Sequence, residues 1–415
     1  MWKWLFPPPP PPPPPPMVLV PPIFDYPPLA DRTRMSVPAY DVLFGKMALH
    51  YLFQEYFEND RQFSAKIMIK PMADSHVDLV ATISGHVRSE KEGNAVFRWQ
   101  RDLCNPHTFL EISASTSEQM LLLKLCEYHH RSGFGIFSIL PLLLENRRNT
   151  HDYGMIGLRY GSECLSIGTT LAPISLHGDF PINIWAVRRV GKLTVGAQYK
   201  ADAFGRELAN SYNWNWAIGY GLASTSPLMP SFNFGLEFAK GSQMVASFYQ
   251  HIVVQRRVKN PFELNQVVGI TNYIDLGFEL NRRFNRNESQ NLDKVSFQLA
   301  ASWQANKNIL LKGKLGPSIS SLVFAFKSWW KPSFTFSISA GYDRSSGKTS
   351  YGFGIRVEDL RDASYERADP NYVMLTSSKE HLAGGVLKNW ETRPIFQADA
   401  DSGNHDKRRP MGNII

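Results

Sequence analysis

A strict alternation of apolar and polar residues recurs between residues 63 and 357 and constrains the fold more than any other feature of this chain. In one stretch, Trp216 and Ile218 alternate with Ala217 and Gly219. The same period of two is found over residues 77–83, 193–199, 232–238, 274–280, 295–303 and 334–342. Successive side chains of a β-strand point to opposite faces, whereas a helix repeats about every 3.6 residues. The pattern therefore predicts an all-β protein.

The alternating segments are joined by short turn sequences such as "ANKN" and "DRSSGK". This arrangement is typical of consecutive antiparallel hairpins. Spans of about 9–11 residues, each followed by a turn, predict about 19 strands between Phe63 and Val357. Residues 121–144 and 243–270 fit this spacing poorly, which leaves the strand count open there.

One face of these segments is rich in Phe, Trp and Tyr, and the other carries Gly, Ser, Ala, Asn, Gln and Thr. A soluble sandwich or propeller, which would bury a dense apolar face, is the alternative architecture. Small polar residues suit a wet lumen, and an aromatic outer face suits lipid. Because every strand edge must be paired in hydrocarbon, we expect a closed transmembrane antiparallel β-barrel. The apolar run Gly133–Leu144 is too short for a membrane helix and contains Pro141.

The sequence predicts four regions. Residues 1–35 are a proline-rich, disordered arm, in which Pro7–Pro16 adopts polyproline II and serves either as a stiff spacer or as the ligand of a proline-recognition partner. Residues 36–60 are expected to form one amphipathic helix in or near the pore, with Lys46, His50 and Gln54 on its polar stripe. Residues 61–357 form the barrel, and residues 358–415 form a polar, largely disordered tail.

The last alternating strand carries the pattern Ser350-x-Gly352-x-x-Ile355-x-Val357. It resembles the sorting signal of mitochondrial outer-membrane β-barrels. The stretch "VPAYDVLFGK" is similar to the N-terminal segment of voltage-dependent anion channels. A helix, many hairpins and a sorting strand are the layout of the eukaryotic porin superfamily, which also includes the mitochondrial translocase pore. The resemblance covers residues 36–357, and the length and tails look most like the plant porin-like members. The proline arm and the continuation past Val357 depart from the channel pattern.

This resemblance implies a mitochondrial outer-membrane channel for small, preferentially anionic metabolites or ions, inserted by the outer-membrane sorting and assembly machinery. The plastid outer envelope is the alternative location. The alternative function is a non-conducting barrel that acts as a membrane anchor, receptor or assembly factor through its tails. Membrane lipid and small anionic solutes are the expected partners. The sequence leaves open which solute passes, how the tails are oriented and how many copies assemble.

Strand parity predicts which charged side chains line the pore. The expected cations are Lys66, Lys70, Arg98, Lys192, Lys200, Lys312, Lys314, Lys327 and Arg356, and the expected acids are Asp78, Glu111, Glu237, Asp275 and Glu279. Cations exceed acids here, as they do in the whole chain, which has 45 Lys and Arg against 37 Asp and Glu. A modest positive potential in the lumen would favour anions weakly.

Two candidate motifs, one for phosphate binding and one for metal binding, lack the spacing that these sites require. The stretch "GYDRSSGKTS" at residues 341–350 misses the spacing of a phosphate-binding loop and leads into a strand. The pairs His129-His130 and His151-Asp152 lack a third metal ligand at a defined spacing. Basic residues are scattered among acids instead of forming a block, which disfavours nucleic-acid binding. We therefore expect no enzyme, and no cofactor or metal site.

Overall fold

The structure, a computed structural model, describes residues 17–18, 35–57, 63–69, 71, 74, 76–85, 92–101, 107–116, 120–129, 131–144, 154–162, 164–172, 181–201, 213–222, 230–259, 266–284, 295–328 and 332–359. Within these ranges there are two helices, α1 Ala39–Val42 and α2 Lys46–Gln54. The strands are β1 Met17–Val18, β2 Phe63–Ile69, β3 Val77–Gly85, β4 Glu92–Gln100, β5 Phe109–Ser115, β6 Met120–His129, β7 Phe134–Leu144, β8 Met155–Gly161, β9 Leu165–Leu171, β10 Ile182–Val190, β11 Leu193–Ala201, β12 Trp214–Leu222, β13 Ser231–Ala239, β14 Gln243–Lys259, β15 Gln266–Arg283, β16 Val295–Gln304, β17 Ile309–Leu315, β18 Ile319–Ser328, β19 Ser333–Asp343 and β20 Lys348–Asp359. The predicted proline run and nearly all of the predicted C-terminal tail lie outside the described residues.

Strands β2 to β20 form one closed barrel of 19 strands. Neighbouring strands along the chain pair antiparallel, and β2 closes the barrel against β20 in parallel, with Lys66 opposite Arg356. An up-and-down chain with an odd number of strands must bring its first and last strands together in the same direction. The predicted all-β barrel and its strand number are confirmed, but the prediction of antiparallel pairing is wrong at this seam.

The two faces of the barrel wall differ along single strands. On β12 the Trp216 side chain is 54% exposed, whereas Ala217 is only 5% exposed. Apolar side chains such as Phe234 and Leu322 are likewise exposed on the outer surface. The two stretches that fitted the spacing poorly resolve into the β6–β7 and β14–β15 hairpins. Each hairpin contains a register shift, which interrupts the alternation.

The sequence predicted a single helix over residues 36–60, but the part of this range that the structure describes, residues 36–57, contains two helices. α1 ends at Val42, and Phe44 and Gly45 then adopt left-handed φ values of 62° and 78° before α2 begins. A right-handed helix cannot continue through left-handed residues, and Gly45 accepts this conformation because it has no Cβ. Among the described residues, no helix is long and apolar enough to span a bilayer.

The stretch at residues 341–350 contains the end of β19, the turn at residues 344–347 and the start of β20. The hydroxyl groups of Ser345 and Ser346 donate hydrogen bonds to the Asp343 carboxylate, at 2.7 Å and 2.8 Å. Gly347 occupies the left-handed region, with φ at 66°. The stretch is therefore a hairpin turn, as its spacing indicated.

Candidate functional site: the lumen and the segment inside it

Residues 35–57 lie inside the barrel and run along its inner wall. Arg159, a buried residue on β8, fixes the start of this segment. Its Nη1 atom donates hydrogen bonds to the carbonyl oxygens of Val37, at 2.8 Å, and Met35, at 3.5 Å. A buried guanidinium bonded to backbone carbonyls is a strong, directional anchor.

The first part of this segment packs into an apolar sector of the lumen. The buried members of this cluster are Met35, Ala39, Tyr40 and Phe44 from the segment, and Phe109, Cys126, Tyr128, Phe137, Trp185, Val187 and Ala217 from the wall. The inner wall is therefore not polar all round. Burying side chains such as Tyr40 and Trp185 stabilises the segment inside the barrel, by about 1.5–3 kcal/mol for each large apolar side chain.

Phe44 lies against a patch of glycines on β11, β12 and β13. Its ring approaches Gly196 and Gly219 so closely that a Cβ at either position would be 2.8 Å and 3.0 Å from a ring carbon. Gly235 lies directly opposite Gly219 across the β12–β13 pair, and a Cβ there would be 2.8 Å from the Phe44 carbonyl oxygen. Because these glycines have no side chain, the residues between α1 and α2 can pack directly against the backbone of the wall.

Helix α2 packs next on β14, β15 and β16. The Cδ2 atoms of Leu49 and Leu52 would each be 2.7 Å from a Cβ added to Gly277. Leu49, Leu52 and Phe53 form a buried cluster with Ala300, and Tyr249 packs against it. The opposite face of α2 carries His50 and Gln54, which are exposed to the lumen. The helix therefore presents its apolar face to the wall and part of its predicted polar stripe to the open interior.

Two lysines of β17 bind the C-terminal end of α2. Lys312 Nζ donates to the carbonyl oxygen of Tyr51 at 2.9 Å, and Lys314 Nζ donates to that of Phe53 at 3.1 Å. The Tyr51 carbonyl also accepts a hydrogen bond from the backbone N–H of Glu55 at 3.1 Å. The carbonyls at the C-terminal end of a helix carry a partial negative charge. The two ammonium groups add hydrogen bonds to this end of the helix, and their positive charge is favoured by the helix dipole.

Glu55 lies at the parallel seam of the barrel. Lys66 and Arg356 are opposite each other there, and like charges in this position repel. The Glu55 Oε2 atom is 2.6 Å from Nη2 of Arg356. Burial alone would raise the pKa of the Glu55 carboxyl, but the charges of Arg356 and Lys66 and the hydrogen bond from Arg356 hold it at about 2. Glu55 is therefore ionised and offsets the charge of the seam.

The other charges of the segment are also paired with the wall. Lys46 Nζ is 2.9 Å from Glu237 Oε1, which also accepts a hydrogen bond from the Tyr40 hydroxyl at 3.0 Å. Asp41 Oδ2 is 3.4 Å from Lys200 Nζ. Together with the contacts of Glu55, these pairs attach both helices to the barrel by charge as well as by apolar packing.

A row of alternating charges crosses four adjacent strands, β3 to β6. In register, Asp78 lies opposite Arg98, Arg98 opposite Glu111, and Glu111 opposite Lys124. Glu111 is 2.9 Å from Lys124 and 3.7 Å from Arg98. Opposite charges at facing positions stabilise neighbouring strands, and they leave little net charge on this part of the wall.

A second polar group lies under α2, on β14 and β15. The Nδ1 atom of His251 is 2.6 Å from Asp275 Oδ1, which also accepts a hydrogen bond from the Tyr249 hydroxyl at 2.8 Å. In register, Asp275 faces Ser302, and Ser302 faces Lys312. This row joins the packing site of α2 to the lysine that binds its C-terminal end.

Most of the predicted pore-lining residues lie on the inner wall. Those with described partners there are Lys66, Arg98, Lys200, Lys312, Lys314, Lys327 and Arg356, and the acids Glu111, Glu237, Asp275 and Glu279. Asp78 is buried and in register with Arg98. Lys192 instead lies exposed in the turn between β10 and β11, and Lys70 lies outside the described residues.

The cations on the inner wall are paired with carboxylates to a greater extent than the sequence predicted. The sequence argument counted the cations as lining open water, but Arg98, Lys200, Lys327 and Arg356 each have a carboxylate partner. Because the partners Asp41 and Glu55 belong to the inserted segment, strand parity could not reveal them. The positive excess that faces the solution is therefore smaller than the sequence suggested.

The predicted sorting residues all lie on β20, the strand that closes the barrel. Gly352 is buried and paired with Ser339, whereas Ile355 and Val357 are half-buried and paired with Phe336 and Phe334. Ser350 lies opposite Gly341. These four residues thus belong to the strand that pairs with β19 on one side and with β2 on the other.

Sequence reasoning missed the residues that hold the inserted segment, above all Arg159 and the glycines under Phe44. Gly219 and Gly235 were interpreted as small residues of a wet wall. The available signal was the occurrence of inward-facing glycines on neighbouring strands. A glycine within a strand often marks a place where another chain segment approaches closely.

The described residues contain no group of three or more His, Cys, Asp and Glu side chains that could hold a metal ion. In comparison with known proteins, the chain matches no protein-family model and no curated protein.

Proposed function

We propose that this chain is an outer-membrane β-barrel channel that passes small solutes with a weak preference for anions. The observation that carries the proposal is the apolar outer surface of a closed barrel. Exposed apolar side chains recur on strands all around it, as with Ile83, Phe97, Ile136, Leu158, Ile184, Trp216, Phe234, Leu276, Phe297, Leu322, Ile338 and Tyr351. A surface of this kind needs an apolar surrounding, and a lipid bilayer provides one.

The charges of the lumen support only a weak selectivity. Ion pairs within the wall and with the inserted segment offset many of the cations, as with Lys200 and Asp41. The remaining excess is small and spread out. Selectivity should decrease further as salt shortens the Debye length from about 10 Å at 0.1 M to about 3 Å at 1 M.

The proposed location is the mitochondrial outer membrane, with the plastid outer envelope as the alternative. It is supported by the sorting-like pattern Ser350, Gly352, Ile355 and Val357, which lies on the closing strand β20. The last strand to be made is the one that must pair with β2 to close the barrel. The sorting and assembly machinery is the partner that this pattern implies.

A second candidate function is a non-conducting membrane anchor or receptor. The apolar cluster around Tyr40 and Trp185 favours it, because this cluster fills one sector of the lumen with side chains. A segment held there by apolar packing and by Arg159 narrows the space that is left for solutes.

Two experiments test the proposal. Alkaline carbonate extraction should leave the protein in the membrane fraction, and its release would contradict a membrane barrel. Purified, refolded protein in a planar bilayer should then conduct, with a reversal potential of anion sign in a salt gradient. Deletion of residues 1–59 should increase the conductance, because it removes the segment that lies along the wall. Clear cation preference would contradict the assignment of the lumen, and the absence of conductance in both proteins would favour the anchor function.

A further inference from the structure

The β14–β15 hairpin extends well beyond its neighbours. β13 pairs with β14 only as far as His251, and β16 pairs with β15 only from Tyr273 onward. β14 continues to Lys259 and β15 begins at Gln266, and the two strands remain paired with each other throughout. At about 3.3 Å per residue, residues 252–259 extend this two-stranded ribbon roughly 26 Å past the adjacent strands.

One edge of the ribbon already carries an added strand. Met17 and Val18 of β1 pair in parallel with Gly269 and Ile270 of β15. These positions lie before the point where β16 begins to pair, so β1 continues the sheet along the edge that β16 leaves. β1 comes from a distant part of the chain. The ribbon therefore accepts an extended segment through backbone hydrogen bonds, which is the basis of β-strand addition.

The other edge belongs to β14, and its charge restricts what can pair with it. No strand among the described residues pairs with residues 252–259 on the side away from β15. Arg256 and Arg257 on this strand are exposed. Charged residues on an edge strand prevent two copies of the same edge from pairing, because the cations would repel. The same charges favour an incoming strand that carries carboxylates.

We propose that residues 252–257 of β14 form an acceptor edge for an extended acidic segment of a partner protein, which adds to the ribbon as a further strand. The backbone of the edge supplies the hydrogen bonds, and Arg256 and Arg257 select the acidic partner. This assignment rests on the geometry of the hairpin and holds whether or not the barrel conducts.

The test uses the full chain in detergent or nanodiscs and a short fluorescein-labelled peptide of alternating Glu and Val. Fluorescence anisotropy should show saturable binding, and a photo-crosslinker in the peptide should label residues 252–257. Arg256 and Arg257 point to opposite faces of the strand, so the glutamates of the peptide, which share one face, meet one of the two. The variant Arg256→Glu/Arg257→Glu should therefore weaken binding by about fivefold, since it turns this attraction into a repulsion. The control Arg131→Glu/Lys240→Glu makes the same change in net charge at two exposed turn residues, and it should bind like the wild type.

A peptide of alternating Glu and Pro separates strand addition from simple charge attraction. It has the same charge, but proline has no N–H group and cannot form a continuous ladder. Binding of the Glu-Val peptide alone supports the acceptor edge. Equal binding of both peptides, equal weakening in the two double variants, or no binding of the Glu-Val peptide to the wild type would overturn it.

Discussion

The Nη2 atom of Arg356 lies 2.6 Å from the Oε2 atom of Glu55, and this contact joins two parts of the chain that are 301 residues apart. Arg356 belongs to the strand that closes the barrel, and Glu55 follows the last residue of the helix inside it. The guanidinium carbon of Arg356 also lies 3.9 Å from the ring centroid of Tyr56, which is itself buried against Leu310, Val323 and Ala325. The same arginine therefore holds the end of the inserted segment and lies at the seam.

Replacement of Glu55 by Gln should loosen the end of the inserted segment. The change removes a charge-assisted contact and leaves Lys66 and Arg356 to repel each other, at a cost of about 1.5–3 kcal/mol in the free energy of docking. Faster cleavage of residues 35–57 by an added protease would show this. Gln54→Ala is the control, because Gln54 is exposed on the face of α2 that points away from the barrel wall. Equal protease sensitivity of the two variants would contradict the role of Glu55.

The pKa of Glu55 predicts how this docking depends on pH. The carboxyl has a pKa of about 2 when docked against an ordinary value of 4.5. A group with a lowered pKa contributes its full stabilisation above the ordinary value, and loses it as the pH falls toward the docked value. Docking should therefore be constant from pH 7 to about 5 and weaken between about 4.5 and 2. A fluorophore on His50→Cys in a cysteine-free chain can follow it. The transition should be reduced in Glu55→Gln, and an unchanged transition there would assign it to other carboxyls.

Gly235→Ala should displace the break between the two helices. The added Cβ would lie 2.7 Å from Ser247 Oγ and 2.8 Å from the Phe44 carbonyl oxygen, so one of these neighbours must move. Overpacking of this kind costs about 1–3 kcal/mol. The control is Gly313→Ala, where the nearest atom to the new Cβ is 3.9 Å away. We expect a lower melting temperature only for Gly235→Ala, and a similar loss in both variants would show that the effect is one of strand glycines in general.

A lysine should be tolerated on only one face of β16. Trp303 is exposed on the outer surface, and Trp303→Lys in a bilayer should cost about 2–4 kcal/mol if it lies near the midplane. Gln298 on the same strand faces inward and donates a hydrogen bond to Glu279 at 3.3 Å, so that Gln298→Lys gains an opposite charge as its partner. Urea unfolding in lipid vesicles measures both variants. A comparable loss of stability would mean that the outer surface is not in contact with lipid.

Assembly in isolated mitochondria should depend on the pattern in β20. Gly352→Glu/Ile355→Gln should leave the imported chain unassembled, because it alters the sorting-like residues. A matched control is Gly341→Glu/Ile338→Gln, which makes the same changes on the same two faces of the neighbouring strand β19. Native electrophoresis after import separates assembled from unassembled protein. Failure of both variants would indicate a general defect of the barrel instead of a sorting signal.

The sequence by itself determined the all-β class, the approximate number of strands, the two faces of the wall and the position of the last strand. A period of two over short segments fixes which side chains share a face, since that property is local to each strand. The inward position of residues such as Arg98, Lys312 and Glu237 followed from the same rule.

Only the tertiary structure decided what the inward residues contact. The break at Phe44 and Gly45, the binding of Lys312 and Lys314 to helix carbonyls and the pairing of Arg356 with Glu55 all depend on where the N-terminal segment lies in the closed barrel. Likewise, the extent of the β14–β15 ribbon depends on where β13 and β16 stop pairing. Alternation sets the direction of a side chain, but barrel closure and the packing of a distant segment set its partner, and a local pattern carries no information about either.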